Sequence, residues 1–250
     1  MKNDNLVSII TPAHNSSLYI KEMIKSIINQ TYKNWELLIT DDYSSDNTIE
    51  IIESYIVIDS RIKLYHLSQN SGASVARNNS IKNAIGRFIA FCDSDDYWAS
   101  DKLEKQIPFM LEKQTTLSYS NYNIVNENGE LLGECISPKQ VTYNDMIRTN
   151  YIGCLTAIYD SERIGKVYME DIKARQDWVL WLSILKKEGT AFCFPQKLAF
   201  YRKRKKSISG NKLRMIKYHW LVYYKHENFS FLKSILHLFQ NLFAYFRKES

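Results

Sequence analysis

The chain has 250 residues, 45% of them hydrophobic, which argues against disorder and suits one α/β domain with an added tail. Its net charge of +6 is uneven: residues 197–250 carry 13 Lys and Arg against two Glu, while residues 1–196 carry 20 basic and 25 acidic side chains. An acidic body with a basic, aromatic tail points the tail at something anionic, for which nucleic acid, a phospholipid surface or a pyrophosphate would each serve. Cys92, Cys135, Cys154 and Cys193 are widely spaced and form no CxxC pair, so neither a zinc site nor a disulfide framework is supported. Reduced core cysteines in a cytoplasmic protein are expected, and no signal-peptide pattern opens the chain.

Leu6–Thr11 (LVSIIT) reads as a strand that Pro12 is expected to close. Leu18, Ile20, Met23, Ile24, Ile27 and Ile28 then recur at helical steps. Trp35–Thr40 is a second strand, ending in Asp41 and Asp42, and YSSDNT caps a helix with Asp46 or Asn47 at its start. Ile62–Leu67 is a third strand, and Asn70-Ser71-Gly72 opens another helix carrying Arg77, which taken alone is a surface or ion-pairing arginine. Phe88–Cys92 is a short, continuous apolar run, as expected of a strand buried on both faces.

That run ends in Asp93, Asp95 and Asp96. Clustered carboxylates repel one another unless positive charge neutralises them, and a hard divalent cation that also binds phosphate oxygens is the natural partner. Regular alternation of strand and helix predicts right-handed βαβ units, a parallel sheet, and both acidic strand ends on one rim. No GxGxxG or GxxxxGK[ST] follows the first strand, so if a nucleotide binds, its phosphates must be held by metal and side chains.

Asp101–Glu112 is an amphipathic helix with Leu103, Ile107, Met110 and Leu111 inward, and Leu117–Val125 with Glu130–Ile136 forms a hairpin turning at Asn128-Gly129. Leu155–Tyr159 reads as a short strand. Arg175–Leu185 (RQDWVLWLSIL) is a helix whose Trp178, Trp181, Leu182 and Leu185 suit the core. Capping accounts for Asp177 at its start; the functional alternative is a general base, with Trp178 or Trp181 offering a flat face to a sugar. Lys197–Tyr201 is the last strand, followed by the basic run RKRKKSIS and the helix Asn211–Tyr224. In Phe229–Phe246, Lys233, His237, Gln240 and Asn241 form a polar stripe beside a broad apolar face, which fits an interfacial helix beside anionic lipid better than a membrane span. Packing on the body or on a second subunit is the alternative. With no linker or internal repeat, residues 1–210 read as one domain, divided into a nucleotide-binding half (about 1–98) and an acceptor half (about 99–210). Residues 211–250 read as a basic amphipathic helical tail.

VSIITPAHN, DDYSSDNT, NSGASVARN, FCDSDD and RQDWVLWL, in that order, resemble the family 2 glycosyltransferases of the GT-A fold, over about Val7 to Lys212. The form with RQD and YRKRKKSIS is similar to bacterial enzymes that build O-antigen, capsule or teichuronic-type polysaccharide. The resemblance implies an α/β fold with a Rossmann-like half and a mostly parallel central sheet. It also implies inverting, Mn²⁺- or Mg²⁺-dependent transfer of a sugar from a nucleotide sugar, UDP-linked as the first expectation. Thr11, Pro12 and Asp42 would hold base and ribose, with Arg77 on the nucleotide. Asp93 and Asp95 would be the DxD pair, Asp95 the more direct metal ligand. Asp96 would line the sugar side, and Asp177 would be the catalytic base.

Arg202, Lys203, Arg204, Lys205 or Lys206 would add cations to the leaving diphosphate. Three departures stand out: His14 replaces the usual tyrosine, Tyr43 the usual glycine after the paired aspartates, and Gln176 the usual glutamate before Asp177. The implied acceptor is an undecaprenyl-diphosphate-linked saccharide or growing polysaccharide. The implied location is peripheral, on the cytoplasmic face of the inner membrane, without nucleic acid. The competing readings are a nucleotidyltransferase, an aspartyl phosphoryl-transfer enzyme and a non-catalytic binding module.

Overall fold

A computed structural model describes residues 5–204 and 212–249. The first half alternates as the apolar periodicity requires: β1 (Val7–Ala13), α1 (Ile20–Ile28), β2 (Trp35–Asp41), α2 (Thr48–Ile56), β3 (Ile62–His66), α3 (Ala73–Asn83) and β4 (Phe88–Phe91). The strands lie in the order β3-β2-β1-β4, all parallel, with Val7 opposite both Trp35 and Phe88. Every residue of β1, β2 and β4 is buried, because helices cover both faces and leave no side that needs polar residues.

Pro12 does not close β1, which continues to Ala13 opposite Asp41. Cys92 N donates to Ile10 O, so in a regular parallel ladder the Cys92 carbonyl would accept from the residue 12 N–H. Proline has none, and Thr11 Oγ1 donates to that carbonyl instead, at 2.8 Å. Leu18 lies outside α1 and is exposed, so the buried stripe begins at Ile20.

The second half comprises β5 (Tyr97–Trp98), α4 (Lys102–Lys113), β6 (Leu117–Val125), β7 (Leu131–Cys135), β8 (Gln140–Thr142), α5 (Tyr143–Met146), β9 (Ile158–Asp160), α6 (Ser161–Ile164), α7 (Gln176–Glu188) and β10 (Thr190–Arg202). The sheet continues through β4-β9-β6-β10-β5, so one ten-stranded sheet joins both halves, antiparallel pairs entering at β9. β6 and β7 form the expected hairpin, with Gly129 at φ +84° in its turn. The predicted strand over Leu155–Tyr159 is instead a 3₁₀ turn, Cys154–Thr156, followed by β9. In α4, Leu111 faces outward while Lys102 is fully buried. Its Nζ donates to Gln106 Oε1 (2.6 Å) and Thr156 O (3.0 Å), and burial lowers its pKa to about 7.

The tail is α8 (Lys212–Leu221), a π-helical turn over Val222–His226, and α9 (Phe231–Glu249). α9 lies on the body, with a polar side inward: Ser234 is buried and Asn241 Nδ2 donates to Arg148 O (2.8 Å). The His237 ring sits 5.5 Å from Tyr223 and 5.1 Å from Phe229. Phe231, Leu232, Leu236 and Phe239 face outward, Leu232 at 78% exposure. Among the described residues no helix is long and apolar enough to cross a membrane.

Gly86, between α3 and β4, is pressed against β1. A Cβ there would stand 2.6 Å from Leu6 O and 2.8 Å from Ser8 N, both backbone atoms. Gly86→Ala is therefore expected to cost about 1–3 kcal/mol, measured as a lower urea midpoint with an unchanged m-value.

Candidate active site

The carboxyl end of β4 delivers Asp93, Asp95 and Asp96 to the rim of the sheet, where a tight turn with Asp96 N on Asp93 O (3.0 Å) packs them together. Burial, then repulsion from Asp95 and Asp93, pushes the Asp96 carboxyl well above the usual carboxylate range. Asp95 is raised by burial as well, with the Arg204 guanidinium pulling against it. The cluster is thus short of positive charge by its own geometry, and three arginines supply part of it.

Arg77, on α3, is buried rather than on the surface. Its Nη2 donates to Asp93 Oδ1 (2.6 Å) and its Nη1 to Gln176 Oε1 (2.7 Å). Burial opposes its charge, but the adjacent Asp93 carboxylate outweighs it and holds the guanidinium firmly protonated. One side chain therefore ties α3, the end of β4 and the start of α7. Gln176 is the position where the family pattern has glutamate; the amide accepts one bond without competing with Asp93 for the charge.

Gln176 opens α7, and Asp177 follows in its first turn. Burial raises the Asp177 carboxyl, while the Arg175 and Arg77 charges oppose that shift. Asn150 Nδ2 donates to Asp177 Oδ2 (3.2 Å), and Asn150 Oδ1 accepts from Ile152 N (3.1 Å). Cys154 is half-buried in the field of Asp93, Arg77 and Asp177, and the loss of solvent around it raises its thiol pKa. Neither Asn150 nor Cys154 lies in a recognisable motif, and only tertiary contact brings them here.

At the other end of the rim, Asp42 is buried. It accepts Ser71 N on Oδ1 (2.6 Å) and Gly72 N on Oδ2 (2.8 Å), fastening the start of α3 to β2. Thr11 and Pro12 are buried beside it, the Thr11 hydroxyl already committed to Cys92. His14 is exposed, with Nδ1 on Asp42 O (2.8 Å). Tyr43 stands at φ +64°, the left-handed region that glycine, usual at this position in the family, occupies without strain. Its side chain is exposed.

Two expectations change. The sequence reading puts Arg202 among the cations that reach a diphosphate; the structure buries it as a hub. Its backbone N donates to Asp96 Oδ1 (2.9 Å), its Nε to Asp95 O (2.9 Å), its Nη1 to Glu127 O (3.0 Å) and its Nη2 to Glu22. Trp178 and Trp181 offer no face to a sugar, since both rings are fully buried. Trp178 Nε1 donates to Met146 O (2.8 Å) with its ring edge-on to His219 and Tyr223, and Trp181 packs edge-on against Phe91. Arg204 does reach the rim, pairing through Nε with Asp95 Oδ2 (2.6 Å) while partly exposed. Lys205 and Lys206 lie outside the described residues.

The donor set fits a hard divalent cation. Asp93 and Asp95 present carboxylate oxygens, and a guanidinium already stands against Asp95 where positive charge is needed. Among the described residues no group of three or more His, Cys, Asp or Glu converges as a metal cage. Magnesium commonly binds through one or two carboxylates plus substrate phosphates, which is the set this rim offers.

The model of glycosyl transferase family 2 matches residues 8–161. The chain is 43% identical over 230 residues to the putative teichuronic acid biosynthesis glycosyltransferase TuaG of Bacillus subtilis, covering 92% of this chain and 91% of that protein. It is 42% identical over 220 residues to the UDP-Glc:alpha-D-GlcNAc-diphosphoundecaprenol beta-1,3-glucosyltransferase WfgD of Escherichia coli, covering 87% and 85% respectively. S. aureus TarS 1–349 in complex with UDP-GlcNAc superposes with a TM-score of 0.74 at 22% identity, over 95% of this chain and 71% of that one. At that identity the likeness is one of fold, GT-A.

The two arginines separate by experiment. Arg202→Met is expected to lose on the order of 3 kcal/mol, because it strands buried partners. Arg204→Ala should stay within about 1 kcal/mol, since its ion pair is partly solvated. Urea denaturation of both variants measures the difference.

Proposed function

The chain belongs to glycosyl transferase family 2, and we propose that it moves a sugar from a UDP-sugar, with inversion, onto a lipid-diphosphate-linked saccharide or growing polysaccharide of the bacterial envelope. The observation that carries this reading is the Arg77 bridge, which sets Asp177 beside the Asp93–Asp95 rim through Asp93 and Gln176. A base candidate and a diphosphate-binding candidate are thereby tied to one rim of the sheet. The names of TuaG and WfgD support the envelope acceptor, and that of WfgD supports a UDP-linked donor.

In the proposed reaction the acceptor hydroxyl gives its proton to Asp177 as its oxygen bonds to the anomeric carbon. The bond from that carbon to the donor diphosphate breaks on the opposite face, and the nucleoside diphosphate departs with the electron pair. A single displacement inverts the configuration, through an oxocarbenium-like transition state. Burial makes Asp177 a stronger base than a solvated carboxylate, while Arg175 and Arg77 keep it ionised above its shifted pKa. Asn150 holds one carboxylate oxygen and leaves the other for the proton. Arg204, paired with Asp95 but partly exposed, is a cation that can turn to the departing diphosphate, while Arg202 holds the turn that presents the carboxylates. Mn²⁺ or Mg²⁺ bound by Asp93 and Asp95 would neutralise charge on the leaving diphosphate.

The outward apolar face of α9 fits a peripheral seat on an anionic membrane. Phe231, Leu232, Leu236 and Phe239 form one exposed strip, with Lys233 beside it. This strip supports a seat on the cytoplasmic face of the inner membrane, where a polyprenyl-linked acceptor would be within reach.

Asp177→Asn is expected to lower turnover about 10²- to 10⁴-fold with nucleotide binding unchanged; full turnover in the variant would remove Asp177 from its role. Because the base must be ionised and its pKa is raised, wild-type activity should fall with acid at a pH above the ordinary carboxylate value of about 4. A pH–rate profile on purified protein reads this directly. A Leu232→Asp, Leu236→Asp, Phe239→Asp variant should lose binding to phosphatidylglycerol vesicles while keeping its melting temperature, since all three side chains are exposed. Undiminished vesicle binding would count against the α9 seat.

A further inference from the structure

A cleft of about 450 Å³ lies away from the carboxylate rim, between the segment 171–173 and α8. Its size falls in the range of small-molecule sites, about 300–1,000 Å³. Ile172 and Leu221 give it an apolar floor, Tyr218 a hydroxyl, and Lys173, Lys217 and Lys225 its rim. Lys217, Leu221 and Lys225 recur every four residues, so the helix and its π-helical turn present them on one side. Among the described residues none of the three lysines is in an ion pair. Asp171 is the one carboxylate in the lining, and it accepts from Ser74 Oγ (3.4 Å). His226 is held below its usual pKa by burial, with Glu170 3.9 Å from its Nδ1.

We propose that this cleft seats the diphosphate of a polyprenyl-diphosphate-linked acceptor. Three cations without carboxylate partners around an apolar floor suit an anion attached to a hydrocarbon, whereas a bare surface cluster of lysines would have no reason to enclose such a floor. The location suits it too. Lys173 precedes Asp177 by four residues, so their backbones lie at most about 14 Å apart. Arg175 Nε donates to His219 Nε2 (3.0 Å) and Trp178 packs on His219 and Tyr223, which clamps α8 against the start of α7. A saccharide carried on the diphosphate would run from the lysines along the start of α7 toward Asp177. On the other side, the Trp220 ring meets Phe231 at 5.3 Å, so the cleft's helix leads onto the exposed apolar strip of α9, where the hydrocarbon would run. The proposal rests on the glycosyl-transfer reading of the same site and adds the binding group of its acceptor.

The test uses the full chain with UDP and Mn²⁺ present in excess, so that the donor site is filled. Geranyl diphosphate and inorganic pyrophosphate are titrated calorimetrically into wild type, into Lys173→Ala/Lys217→Ala/Lys225→Ala, and into Lys217→Glu. Hydrolysis of the UDP-sugar is followed in parallel. The expected result is that geranyl diphosphate binds wild type more tightly than pyrophosphate does. The triple variant should lose at least tenfold in affinity and Lys217→Glu a smaller part, all with unchanged donor hydrolysis and melting temperature. Equal binding by all three proteins would overturn the proposal, as would binding to wild type only when UDP is left out. Phosphatidylglycerol and phosphatidylcholine vesicles form the other arm. If the triple variant loses phosphatidylglycerol vesicles while geranyl diphosphate binds no form of the protein, the cleft reads lipid headgroups and the acceptor assignment falls. Failure of the glycosyl-transfer reading is distinguishable, because wild type would then release no sugar from any nucleotide sugar whatever the cleft binds.

Discussion

Charge compensation around the end of β4 is the constraint on which the rest of the structure depends. Asp93, Asp95 and Asp96 leave the sheet within four residues of one another, in a place where water does not screen them well. Burial raises both Asp96 and Asp95, and each additional carboxylate makes the next harder to ionise: Asp93 pushes Asp95 up further, and Asp95 and Asp93 push Asp96 up. Arg77, Arg202 and Arg204 answer that repulsion from three directions: α3, the end of β10 and the segment after it. Removing one partner from such a buried arrangement leaves the other stranded, a loss of about 3–5 kcal/mol where the pair is fully enclosed. The arginines are therefore structural and electrostatic at once.

They are not equivalent. Arg202 is locked by bonds to Asp95, Asp96, Asn126, Glu127 and Glu22, with the rings of Tyr19 and Tyr97 against its guanidinium. It cannot move without dismantling the turn. Among the described residues Arg204 has one ion pair, with Asp95, and the Tyr19 ring 5.9 Å away, and its side chain is partly solvated, so it can exchange one anion for another at small cost. Arg77 is intermediate in kind: buried, but joining the rim to the helix that carries Asp177. A neutral glutamine on α7 preserves that joint without adding another negative charge to a rim already rich in them. At the far end, Tyr43 accepts a strained left-handed backbone beside His14 and Asp42. Strain of that sort costs on the order of 1–3 kcal/mol and persists where the surroundings over-determine it.

The tail shows how an amphipathic pattern can be satisfied in the unexpected sense. In α9 Asn241 bonds to the body at Arg148 O, His237 sits against the rings of Tyr223 and Phe229, Ser234 is buried and donates to Phe229 O and Ser230 O, and much of the apolar strip is turned away. α8 and the π-helical turn after it are divided as well, with His219 and Tyr223 against Trp178 and Lys217, Leu221 and Lys225 on the cleft. The two helices thus connect the Asp177 end of α7 to an outward apolar surface through a basic cleft.

The amino-acid sequence by itself determined the alternation of strands and helices, the parallel first half of the sheet, the hairpin at Asn128-Gly129 and the convergence of acidic strand ends. Those features follow from periods of 2 and 3.6 residues and from turn chemistry, which act over a few neighbours. Its family motifs also identified the chain's relatives. Only the tertiary structure decided that Pro12 stays within β1, that Leu155–Tyr159 splits into a turn and a short strand, and that Trp178 belongs to the core. It alone separated Arg202 from Arg204 and found Asn150 beside Asp177. The reason is distance along the chain. Arg77 meets Gln176 across 99 positions and Arg202 meets Asp96 across 106, so which charge is buried, paired or free is fixed by packing that no local pattern encodes.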